Sequence, residues 1–269
     1  MSVSLSFLGV ILVWSTTPLA IKWSGEGVGP LFGAAMRMGG GAVVALAVLL
    51  LLGRRLPLGR RALQTYLAAA VSLYGNMACV YWGAQVIPSG LVAVVFGMMP
   101  VVTSIMAAVV LGERSLTPVR ITGMVLGLAG LGLIFYQQLH VGGDAWLGMA
   151  AVFAGMTLHA ASTVWVKRVG QGLSGMSVAT GGLLMSLPFY AITWWLTGAD
   201  WPEAVSWQSG LSIAYLAIFG SVLGFMWYFQ ALRHVEASKM ALVPLIAPVA
   251  ALCLGVLFND ETFSSRVVL

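Results

Sequence analysis

Apolar residues run along this chain in long blocks, each close to the roughly 20 residues that carry a helix across the hydrocarbon of a bilayer. Nine blocks are predicted as helices: α1 over 3–22, α2 over 31–52, α3 over 62–84, α4 over 89–111, α5 over 119–137, α6 over 145–167, α7 over 175–197, α8 over 207–231 and α9 over 237–258. They break where Gly, Pro or charge collects, as at Gly25 to Pro30, Gly53 to Arg61, Gly112 to Pro118 and Lys167 to Gly175. Such short connections leave no room for a soluble domain.

The pattern occurs twice. Tyr81 to Glu113 aligns with Tyr228 to Glu261, first at an offset of 147 and, after one inserted residue in the turn, at 148. Tyr81 falls on Tyr228, Trp82 on Phe229, Pro100 on Pro248 and Glu113 on Glu261. In α1 and α6 the offset is 145, pairing Trp14 with His159, Thr17 with Ser162 and Lys22 with Lys167. An odd number of helices separates the copies, so the two lie upside down relative to each other in the membrane. The expected architecture is two inverted five-helix repeats, residues 1–137 and 138–269, with a substrate site near the midplane at their interface. After Glu113 the first copy continues into a glycine-rich helix, whereas after Glu261 eight residues remain. By this comparison a tenth helix is missing, either by truncation or because the protein is a nine-helix variant.

Composition turns the pattern into a class. Of 269 residues, 60% are hydrophobic and only 8% charged, too apolar for one soluble core, so the chain reads as an all-α polytopic membrane protein. Its net charge of +5 is then an orientation signal and does not imply nucleic acid. With a cytoplasmic N-terminus, the cytoplasmic loops hold Arg54, Arg55, Arg60, Arg61, Arg114, Arg120, Lys167, Arg168, Arg233 and Lys239, ten of the thirteen Lys and Arg. The expected location is the inner or plasma membrane. The N-terminal block has no basic leader or evident cleavage site and is read as an uncleaved helix. Cys79 and Cys253 both lie in apolar runs and are read as buried thiols, with no metal spacing and no cofactor motif.

The set of motifs resembles the EamA-type family of the drug/metabolite transporter superfamily. The residues that carry the resemblance are WSTTPLAIK around Trp14, MRMGGG around Arg37, the block from Ala84 to Glu113, the following LTPVRITGMVLGLAGLGLI, and the block from Ala231 to Glu261. Gly112 keeps the family's glycine before the closing Glu, while Asp260 replaces it in the second copy. The resemblance implies a ten-helix secondary carrier, not an enzyme. It would export or exchange small metabolites such as amino acids or other amphipathic solutes. A membrane scaffold is the alternative, and an intramembrane enzyme a more distant one.

A carrier offers polar groups at membrane depth. Arg37 lies about six residues into α2, roughly 9 Å below the surface at 1.5 Å per residue. It is read either as an anchor for a carboxylate-bearing substrate or as a side chain that snorkels outward. His159 and its partner Trp14 lie at similar depth in opposite halves and would face one cavity. Asn76 lies near mid-depth in α3. The aromatic ends, Tyr81 and Trp82 in one half and Trp227 and Tyr228 in the other, are either interfacial belts or a gate at each mouth of the pathway. Met98 would give the wall an adaptable surface, and Pro100 and Pro248 are matched candidate hinges. Gly123, Gly127 and Gly130 give α5 a face that packs on another helix or on a second copy of the chain. No Asp or Glu falls within a predicted span, which argues against proton exchange through a carboxylate in α1.

Overall fold

The computed structural model describes residues 3–87, 89–114, 116–134 and 145–246, and among these every regular element is helical. In observed bounds, α1 is Val3–Gly25, α2 Pro30–Leu51, α5 Pro118–Ile134, α6 Ala145–Val169 and α7 Gly175–Thr197. Five of the described helices are long and apolar enough to cross a membrane, among them α2, α6 and α7. The ends follow local chemistry. Ser174 and Ser206 cap α7 and α8 by accepting the backbone N–H of Ser177 and Ser209, each at 3.1 Å. Gly112 and Gly198 close α4 and α7 at φ 67° and 60°, left-handed geometry that a side chain disfavours.

Two of the described helices contain a wide turn that the apolar pattern does not announce. The third runs Arg60–Ala70, continues as a π-helix over Val71–Asn76 and resumes as Met77–Val86. The eighth runs Trp207–Tyr215, becomes π-helical over Leu216–Leu223 and resumes as Gly224–His234. Shifted by the repeat offset of 147, the first π segment falls inside the second. Each widens the helix and loosens its backbone ladder.

The fourth helix is also not continuous. It is Ser89–Phe96, a turn at Gly97 and Met98, then Met99–Leu111, with Pro100 in the first turn of the second segment where its missing N–H costs nothing. The ninth begins as Ala237–Met240 and is described to Ile246, so the expected hinge Pro248 lies outside the described residues.

Helix packing follows the repeat. α1 packs on α8 as α6 packs on α3; α2 meets α8 as α7 meets α3; and α2 and α7 meet each other. Met38, Leu73, Val178, Leu183 and Phe225 fill the centre. Small residues set the closest approaches. A Cβ on Gly181 of α7 would lie 2.3 Å from the Tyr66 ring of α3, so only glycine allows that crossing. Leu12, Val43, Val109 and Trp195 face outward, as lipid contact requires.

Candidate functional site

The two halves meet at their equivalent positions. Trp14 of α1 and His159 of α6 lie with ring centroids 6.0 Å apart, edge to face. Trp14 also stacks on Tyr228 at 5.1 Å and meets Phe225 edge-on at 5.6 Å. The approach depends on Gly224, where a Cβ would lie 2.6 Å from Trp14 Nε1.

His159 is buried, and its Nδ1 hydrogen-bonds the hydroxyl of Ser72 in the α3 π-helix. Its Nε2 has no partner among the described residues. Thr163, one turn further along α6, donates to the His159 carbonyl at 2.9 Å and lies 2.7 Å from the Tyr228 hydroxyl. A threonine has one hydroxyl proton, so Tyr228 is the donor to Thr163.

Arg37 does not snorkel. It is 2% exposed, its Nε donates to Ser221 Oγ at 3.0 Å and its Nη1 faces Met77 Sδ at 4.0 Å. Both contacts are with the helices that carry the π segments. No carboxylate pairs with it among the described residues. Nη2 is packed beside Gly220, where a Cβ would come within 3.2 Å. Gly220 and Gly224 are one turn apart, so the guanidinium and the Trp14 ring occupy successive turns of α8. Tyr190 of α7 meets the Tyr74 ring edge-on at 5.1 Å and donates to the Leu73 carbonyl at 2.9 Å.

Asn76 closes the α3 π-helix against α6. It is buried, its Oδ1 has no partner among the described residues, and that atom is 3.2 Å from where a Cβ on Gly155 would stand. A central set thus comprises Trp14, Arg37, Asn76, His159 and Tyr228.

The other expected residues stand apart. The Tyr81 hydroxyl reaches Ser24 Oγ at 3.4 Å, near the far end of α1. Trp82 is 50% exposed on the outside of the bundle, and Met98 is 37% exposed at the break in α4. Trp227 lies against Gly9 of α1, 2.6 Å from where a Cβ would be, and its Nε1 has no partner among the described residues. Ser72, Thr163, Tyr190, Ser221 and Phe225 join the site without having been expected. Single hydroxyls in apolar helices carry no periodic signal, although the glycines at 220 and 224 mark the close approach. Among the described residues no group of three His, Cys, Asp or Glu is placed to hold a metal.

A membrane bundle of two related halves, with polar and aromatic groups gathered where equivalent helices meet, is the architecture of a carrier. The chain belongs to the EamA-like transporter family, whose profile matches residues 1–136 and 146–269. It is 27% identical over 260 residues to the "Uncharacterized inner membrane transporter YedA" of Escherichia coli (strain K12), covering 96% of this chain and 83% of that protein. To the "Uncharacterized transporter YoaV" of Bacillus subtilis (strain 168) it is 24% identical over 273 residues, covering 99% and 92%. "Protein PagO" of Salmonella typhimurium is 26% identical over 256 residues, covering 94% and 84%. A solved crystal structure shares the fold with a TM-score of 0.81 at 21% identity, spanning all of this chain and 93% of the other.

Proposed function

We propose that the protein is a secondary transporter that exports or exchanges small amphipathic metabolites, amino acids among them, by alternating access at the interface of its two repeats. The observation that carries this reading is Arg37. It is a permanent cation, buried among apolar helices, whose mapped acceptors are one hydroxyl and one thioether. Burying a charge without a counter-charge costs several kcal/mol, about what a buried ion pair loses when one partner is removed. A substrate carboxylate would supply what is missing, and the Trp14, Phe225 and Tyr228 rings one turn away would hold its apolar body.

In this reading Trp14, Asn76, His159 and Tyr228 contact the substrate, and Tyr81 and Trp227 flank the way in and out. Trp82 and Met98 face away. The N-terminus is cytoplasmic, and the protein performs no chemistry on what it moves. Purified protein in liposomes should therefore move small carboxylate-bearing solutes from a panel that also includes neutral and cationic ones. Absence of flux across the panel would overturn the proposal.

A further inference from the structure

Three charged side chains from three helix ends converge on one turn, Leu232 to Lys239, between α8 and α9. Glu113, just past the end of α4, accepts the backbone N–H of Ala237 through Oε1 at 2.9 Å. Its Oε2 accepts the N–H and the hydroxyl of Ser238 at 3.4 and 3.0 Å. A carboxylate on these N–H groups satisfies the first turn of α9 and lies at the positive end of its dipole. Lys167, near the end of α6, donates to the carbonyls of Leu232, Arg233 and Val235 at 2.6, 3.3 and 2.9 Å, which closes the last turn of α8. Arg120 of α5 pairs with Glu236 at 2.9 Å. Glu113 and Arg120 belong to the first half and the turn to the second, so these contacts bind one half to the other.

The clamp is joined to the central set by a ladder. His159, Thr163 and Lys167 follow one another at one-turn intervals on α6, and Tyr228 and Leu232 do so on α8. Thr163 meets Tyr228, and one turn on Lys167 meets Leu232. Tyr228 is also the ring on which Trp14 stacks. A cavity of 250 Å³ opens beside this ladder, lined by Lys167, Phe229, Leu232 and Arg233.

We propose that the α8–α9 turn is the gate at the basic end of the bundle, shut in this structure, with Glu113, Arg120 and Lys167 as its latch. A substrate that displaces Tyr228 from Thr163 loosens the adjoining Lys167 contact and lets the turn swing away from α4. This builds on the transport reading, but its test does not use transport.

The test is alkylation of a buried reporter by a membrane-impermeant maleimide. The full chain is reconstituted in nanodiscs, with Cys79 and Cys253 replaced by Ser. Ala241→Cys is the reporter, buried in α9 against Met99 and Met156, just beyond the latched turn. Ala34→Cys, buried in the first turns of α2 at the opposite end, is the control. Glu113→Ala should raise the labelling rate at position 241 about tenfold, as expected when charge-assisted contacts to one state are lost, and leave position 34 slow. Lys167→Met should act in the same direction, and Thr163→Val more weakly. An unchanged rate at 241 overturns the gate. An equal rise at both positions means that the contacts only hold the fold together, and overturns it as well. Labelling needs no substrate, so a failed gate leaves the transport reading standing, and absent flux leaves the gate standing.

Discussion

Gly224 and Trp14 are in contact at the limit of what atoms allow, with space for a hydrogen on the glycine and none for a methyl group beside the indole Nε1. Gly224→Ala must move the indole or part α1 from α8. The expected result is a loss of about 1–3 kcal/mol in stability, the usual cost of overpacking. It should be accompanied by quenching or shift of Trp14 fluorescence, read against a Trp14→Phe reference. Gly123→Ala is the control, because none of the described residues lies within 4 Å of its position. It should be neutral, or stabilising by up to about 1 kcal/mol through helix propensity.

Replacing Arg37 separates stability from function. Arg37→Met removes a buried charge that has no carboxylate partner among the described residues, so the substrate-free protein should melt at the same temperature as the parent or higher. Transport of carboxylate-bearing solutes should fall at least tenfold, and flux of neutral ones should fall less. A lower melting temperature together with equal loss for both solute classes would assign Arg37 to the scaffold. Arg37→Lys should not restore transport, because an ammonium cannot reproduce the fork that spans Ser221 and Met77.

Thr163→Val deletes the hydrogen bonds to Tyr228 and to the His159 carbonyl while keeping the shape of the side chain. Leaving the Tyr228 hydroxyl buried without its acceptor should cost about 1–3 kcal/mol in thermal or denaturant unfolding. The double variant Thr163→Val with Tyr228→Phe should recover part of that loss, since both partners are then apolar. Additive losses would show that the two groups are energetically independent.

Orientation is testable without any substrate. With a cytoplasmic N-terminus, a cysteine at Gly59, beside the exposed Arg54, Arg55, Arg60 and Arg61, should be shielded from an impermeant reagent in intact cells. One at Asp200, in the loop after α7, should react. The reverse pattern would invert the assignment.

The helices themselves were plain in the chain. Apolar length and Gly or Pro breaks place α1, α2, α6 and α7 to within a few residues, because bilayer thickness leaves little freedom. The pairing of Trp14 with His159 was legible from the repeat. Which side of an apolar helix turns inward was not. Tyr81 and Trp82 are adjacent and both aromatic, yet one is buried and the other exposed to lipid. In a membrane both faces are apolar, so hydropathy does not distinguish them. The hydroxyls of Ser72 and Ser221 became visible as parts of the site only when the π-helices turned them toward His159 and Arg37. A wide turn adds a residue without changing composition.

Those wide turns are shared by the two halves. Val71–Asn76 and Leu216–Leu223 occupy matching places in both. Each lies next to a polar group of the central set and loosens its helix at that point. Ser72 of the first half reaches His159 of the second, and Ser221 of the second reaches Arg37 of the first, so each distorted helix binds a polar group across the repeat interface.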